Sequence, residues 1–237
     1  MARKRKSRRP AARPALARDA SNRAKIIAAF LALLAEKSFE QTGLAEIATR
    51  AEVSLADLRA EFNSTFAILA AHIKDIDRAV LAGIDADMAE EPARERLFDV
   101  LMRRLELLEP HKQALHSLLR SALRNPPLAL ALNALAVRSQ QWMLTAAGIT
   151  AAGPRGLLRA QGLALLFTNV LRTWVDDDEP GLSRTLAALD RALASGQRWS
   201  GLLDDLCRIP QRCRQRAKRA RGRARRPGRT SDESIAA

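Results

Sequence analysis

Three histidines, one run of acids and two cysteines are the residues of this chain whose types could do chemistry, and their spacing argues against it. His72, His111 and His116 are not four apart on a helical face and no HExxH string surrounds them, so they read as ordinary surface histidines or histidines with satisfied hydrogen bonds. Asp176, Asp177, Asp178 and Glu179 are consecutive, which points their carboxylates in different directions. The run reads as a solvated loop that ends a helix and needs no metal. Cys207 and Cys213 lack CxxC spacing and read as reduced cytosolic thiols. No Gly-rich phosphate loop, nucleophile elbow or acid/base pair is present. Hence no catalytic residue, metal or cofactor is expected, and the chain reads as a binding protein rather than an enzyme.

Charge is the strongest chemical signal. Among residues 1–20 there are eight Lys/Arg and one acid, and among residues 208–237 eleven Lys/Arg and two acids, while the whole chain of 237 residues carries +14. The surplus therefore belongs to the two ends, and residues 21–207 are close to neutral. Both ends read as disordered basic segments, 1–20 and 208–237, suited to any polyanion. The second has no aromatic residue interleaved and so lacks the stacking groups of a single-strand binder. No apolar stretch follows the basic start, and no run is long enough to span a membrane. A cytoplasmic protein is expected.

Between these ends the composition favours helices. Tyr is absent, aromatic residues make up 4%, and Ala and Leu dominate. Ser21 is placed to cap a helix carrying Ile26, Ile27, Phe30, Leu33 and Leu34. Thr42 is placed to cap a second, with Leu44, Ile47, Ala48 and Ala51 on one face, and Ser54 a third, with Leu58 and Phe62. Three short helices with a tight turn between the second and third outline a helix-turn-helix. A longer helix is expected over 66–88. Pro92, Pro110 and Pro126-Pro127 punctuate the segments that follow, and Gly148, Gly153 and Pro154 mark a loop before a helix pair over 156–175 and 181–195.

Residues 23–69 resemble the N-terminal domain of the TetR family of bacterial regulators. The resemblance rests on the string from Thr42 through Ile47-Ala48, Ala51, Val53-Ser54, Leu58 and Phe62 to Ser64, with Leu69 after it. It implies an all-α, TetR-like fold, with residues 21–65 as the helix-turn-helix subdomain and 66–207 as a helical domain for ligand binding and dimerisation. It also implies operator DNA as a partner, bound by a homodimer that responds to a hydrophobic small molecule or lipid.

DNA contacts are then expected from Thr42, Arg50, Ser54, Leu55, Ala56, Asp57, Arg59, Asn63 and Thr65. The surface positions depart from the family's pattern. Glu52 stands at the turn glycine, Arg59 at the tyrosine and Thr65 at the lysine, and residues 38–66 hold two cations against five acids. Such a face repels a duplex unless the basic N-terminal arm compensates. Arg59 is the one side chain suited to a phosphate or a guanine.

In the larger domain, Leu101, Leu105, Leu118 and Trp142 are expected to line a pocket without buried polar groups. Leu163, Phe167, Val170 and Trp174, with Leu186, Leu189 and Leu193, are expected to form the dimer interface as a four-helix arrangement. The alternative is that these faces are consumed within one protomer.

A second resemblance is to a ubiquinone-biosynthesis accessory family that has a TetR-like fold, binds isoprenoid lipid and does not act on DNA. It rests on the acidic segment from Trp174 to Glu179 and on Trp199, Leu202, Leu203 and Leu206, which recur at helical spacing before the basic end. These imply a peripheral membrane contact through residues 199–229. The plainer reading of that helix is packing on the body.

Overall fold

Helices account for all the regular structure among the described residues. The computed structural model describes residues 12–179 and 181–196, with side chains from Asn22 onward except Ala86. Helix α1 (Ala12–Glu36) is followed by α2 (Leu44–Arg50), α3 (Leu55–Glu61), α4 (Thr65–Ala82), α5 (Ala93–Leu108), α6 (Lys112–Arg124), α7 (Pro126–Ala146) and α8 (Gly153–Val175). A further helix, α9, covers 183–196. Short 3-10 turns lie at Phe39–Gln41, Ala86–Glu90 and Glu109–His111.

The starts and stops follow local chemistry, with corrections to several expected boundaries. Helix α1 begins at Ala12 rather than at Ser21, so the basic segment expected as disordered over 1–20 is helical from Ala12 onward. Ser54 caps α3: its Oγ accepts the Asp57 amide at 3.0 Å and donates to Asp57 Oδ2 at 2.7 Å, which satisfies donors that the first turn leaves open. Ser64 caps α4 in the same way, accepting from the Ala67 amide at 3.1 Å. Thr42 does not cap α2. Gly43 holds that position, and Thr42 is buried with its hydroxyl donating to the Ser38 carbonyl at 3.0 Å. Helix α4 stops at Ala82 instead of running to Met88. Pro126 and Pro127 interrupt the chain and also open α7 behind the Asn125 cap, since proline fits a first helical turn whose amides have no partner.

Two apolar clusters share one helix. The first gathers Ile26, Phe30, Leu33 and Leu34 of α1 with Ile47, Leu58 and Phe62, the start of α4 (Ile68, Leu69) and Ala114 and Leu118 of α6. The second joins the end of α4 (Ile76, Val80) to α5, α7, α8 and Leu189 and Leu193 of α9. The helix-turn-helix is therefore not a free-standing subdomain, because α6 completes its core. Polar contacts reinforce this seat: Ser117 Oγ donates to the Lys37 carbonyl at 2.7 Å, and Ser121 Oγ accepts the Phe39 amide at 3.1 Å.

At two positions the backbone itself sets the residue. A Cβ on Gly156 would run into the backbone of Ala151, so the first turn of α8 closes onto the preceding loop only with glycine there. Glu52, in the turn between α2 and α3, holds φ at 55°, a conformation that costs a side-chain-bearing residue free energy. Replacing Glu52 with Gly is expected to stabilise the fold by about 1 kcal/mol, read as a raised urea midpoint with unchanged slope. Replacing Ser54 with Ala is expected to cost about 1 kcal/mol in the same assay.

Candidate DNA-facing surface and ligand cavity

The outward side of α3 is open. Ser54, Leu55, Ala56, Asp57, Arg59 and Ala60 are exposed, while Leu58 on the inner side is 2% exposed. Asn63 is also exposed and Thr65, at the first turn of α4, is half-buried. Thr42, expected on this surface, is buried instead, with its hydroxyl turned to the Ser38 carbonyl.

Internal ion pairs take up the nearby cations. Arg50 grips Glu36 with two parallel bonds of 2.9 and 3.0 Å. That bonding, chiefly through the side-chain hydrogen bonds, holds the Glu36 carboxyl below and the Arg50 guanidinium above its usual range. Lys37 pairs with Glu46. Arg59 has no hydrogen bond or ion pair among the described residues and remains available to an outside anion.

A cavity of about 510 Å³, the candidate ligand site, is lined by residues of α1, α4, α5, α6, α7 and α8. Leu69, Leu115, Leu119, Ala136 and Leu171 are among its apolar walls, and Leu123, Pro126, Leu165 and Arg172 are the exposed residues at its margin. Of the four residues expected to line a pocket, only Leu118 does so. Leu101 and Leu105 point into the second core and are 0% exposed, and Trp142 is on the outer side of α7, 58% exposed. Periodicity located the apolar faces of α5 and α7 but not which residues on them meet a void.

Polar groups also reach the cavity, contrary to expectation. His72, Arg104 and Gln140 line it and are each at least nine-tenths buried. Arg104 pairs with Asp77, a carboxylate that also accepts the Ser139 hydroxyl at 2.7 Å. The Arg104 guanidinium lies 5.7 Å from the centre of the Phe167 ring. His72 packs edge-on to His111 with ring centres 4.9 Å apart, and burial, with His111 second, lowers its pKa to about 4. These residues were missed, although the sequence carried a signal. His72 and Asp77 in α4, Arg104 among the leucines of α5, and Ser139-Gln140 in α7 interrupt apolar stripes, and a polar group in such a place must find a partner.

The acidic run ends α8 and exposes Asp176, Asp178 and Glu179, as expected of a solvated loop, but Asp177 departs from that reading. Asp177 is buried, and its carboxylate accepts the Thr185 amide at 2.8 Å, the Thr185 hydroxyl at 2.6 Å and the Glu179 amide at 3.4 Å. The Thr185 hydroxyl bond is the main reason its pKa lies below the ordinary value. Lys112 donates to the Asp177 carbonyl at 2.7 Å, pairs with Asp178 at 3.5 Å and lies over the Trp174 ring. The run is a clasp joining α8 to α9 and α6.

The dimer residues expected on the last two helices are placed inside the protomer. Leu163, Phe167, Val170, Trp174, Leu189 and Leu193 are buried in the second cluster, and Leu186 is half-buried. These residues of α8 and α9 share one cluster with residues of α4, α5 and α7. What α8 presents outward is Leu157, Leu158, Gly162, Leu165, Asn169 and Arg172. The expected membrane-contacting helix from Trp199, Cys207, Cys213 and the basic end 208–237 lie outside the described residues, as do residues 1–11. No described helix is long and apolar enough to cross a membrane.

The arrangement has clear structural counterparts. A TetR transcriptional regulator from Nitrosomonas europaea matches with a TM-score of 0.59 at 23% identity, over 74% of this chain and 97% of that one. One from Rhodococcus matches with a TM-score of 0.53 at 21% identity, over 74% and 95%. A third, from Streptomyces coelicolor, gives 0.52 at 17% identity, over 78% and 83%. The chain has the TetR-regulator fold. No protein-family model and no curated protein matches its sequence.

Two outcomes check the buried groups. Asp77→Ala leaves the Arg104 charge unpaired inside the bundle and is expected to cost about 3–5 kcal/mol, measured by urea unfolding. The unfolded chain protonates His72 near pH 6.5, whereas the folded chain resists protonation down to about pH 4. The stability tied to this group is therefore complete above about pH 6.5 and falls as the pH drops toward 4. His72→Gln is expected to remove about 2 kcal/mol of the stability difference between about pH 7 and pH 4.5.

Proposed function

We propose that this chain is a TetR-type transcriptional regulator, a repressor that binds operator DNA as a homodimer and releases it when an apolar small molecule fills the cavity. The observation that carries this reading is the open outer side of α3, a second helix of a helix-turn-helix whose inner side is anchored by Leu58. A helix so mounted fits a major groove, with Leu55, Ala56 and Ala60 offering methyl contacts and Arg59 a phosphate or guanine contact. That the similar structures are transcriptional regulators supports it, and the reading implies a cytoplasmic location.

Dimerisation is assigned to the outward face of α8. Leu158, Gly162, Leu165, Asn169 and Arg172 follow one another at alternating four- and three-residue steps, the spacing of a helix–helix seam. A Cβ on Gly162 would meet nothing within 4 Å in the protomer, which leaves room for a second helix to approach.

One observation favours a second reading, a lipid-binding protein of the same fold without operator affinity. Arg50 and Lys37 are already paired with Glu36 and Glu46, so the surface around α3 offers a duplex little besides Arg59.

Fluorescence anisotropy with the full chain separates the two. A regulator is expected to prefer its own promoter to a scrambled duplex at moderate salt, and Arg59→Ala is expected to weaken that complex by about tenfold. Equal binding to both duplexes, indifferent to Arg59, would sink the regulator reading. Leu165→Glu is expected to turn a dimer into a monomer by analytical ultracentrifugation, and an unchanged dimer would reject the α8 seam.

A further inference from the structure

Three residues that line the cavity each carry a buried polar atom with no hydrogen-bond partner: His72 Nε2, Arg104 Nε and the Gln140 carbonyl oxygen Oε1. Their residues are 5%, 6% and 1% exposed. Leaving such a group dry and unpaired costs free energy comparable to a full hydrogen bond. All three belong to, or are close in sequence to, one charge pair. Gln140 follows Ser139, whose hydroxyl bonds Asp77. Asp77 pairs with Arg104, and His72 lies little more than one turn before Asp77 on α4. The remaining lining is mostly aliphatic.

We propose that the cavity takes a neutral amphiphile with an aliphatic tail and a hydroxyl head, the hydroxyl donating to Gln140 Oε1 and accepting from Arg104 Nε. This deepens, and rests on, the reading of the cavity as the effector site. The choice of head follows from the donor and acceptor inventory. Gln140 Oε1 can only accept and Arg104 Nε–H can only donate, and a hydroxyl is the smallest group that answers both. An ether or ketone accepts alone and leaves Gln140 unpaired. A carboxylate also lacks a donor, and the guanidinium it would seek is already neutralised by Asp77. The volume of about 510 Å³ equals about 17 water-sized units, enough for an aliphatic chain of about ten carbons together with its head.

The test is calorimetric titration of the full chain, without DNA, with decanol, decyl methyl ether and decanoate. Decanol is expected to bind about tenfold more tightly than the other two. Gln140→Leu is expected to lower decanol to the ether's affinity while leaving the ether's own binding unchanged, which also shows that the variant is folded. Should that variant not fold, the three-ligand comparison on the unaltered chain decides by itself. Equal affinity for decanol and its ether, tighter binding of decanoate, or no binding of decanol would each overturn the proposal. Decanol binding that leaves the promoter complex unaffected would overturn the regulator reading and leave this one standing.

Discussion

Asp77 and Arg104 are opposite charges inside an otherwise apolar bundle, and their mutual neutralisation is what allows α4, α5 and α7 to pack together there. Either ion alone would be costly to bury, and a buried pair repays its desolvation only where further hydrogen bonds complete it. Ser139 supplies such a bond from α7. The arrangement fixes the register of three helices at one point and leaves Arg104 Nε without a partner, with the guanidinium over the Phe167 ring. The polar character of the cavity is thus a by-product of the same pair that holds the bundle.

Helix α4 gives this local chemistry a wider reach. Its first half, at Ile68 and Leu69, belongs to the core beneath the helix-turn-helix, and its second half, at Ile76 and Val80, to the core of the larger bundle. His72 and Asp77 lie between those ends or next to the second. Helix α6 makes a parallel link, lining the cavity through Leu115 and Leu118 while its Ser117 and Ser121 hold the connection between α1 and α2. A ligand that draws α4 and α6 together would therefore act on two helices that seat α2 and α3. Coupling of this kind requires that the ligand favour one arrangement of those helices over another.

The helical class, the Ser54 cap and the three-helix outline could be read from the chain, because each is set by neighbours within a few residues. Apolar periodicity also found the buried sides of α1, α3 and α8. What it did not tell is which apolar face meets a partner, a void or solvent. Leu163 and Phe167 look alike as core or as interface, and Trp142, expected in a pocket, stands outward. Thr42 had the type of a cap but was displaced by Gly43. The polar site was legible only as exceptions, a histidine, an aspartate and an arginine on stripes that otherwise exclude them. Their partners lie on other helices, so spacing along one helix could not pair them.

The claim that most needs direct measurement is that the Asp77–Arg104 region joins the cavity to the seat of the helix-turn-helix through α4. Amide hydrogen exchange along the chain, with and without bound decanol, reads this helix by helix. Slower exchange is expected along α4 on both sides of His72, extending into α2 and α3. Protection confined to α6, α7 and α8, with α4 and the helix-turn-helix unchanged, would contradict it.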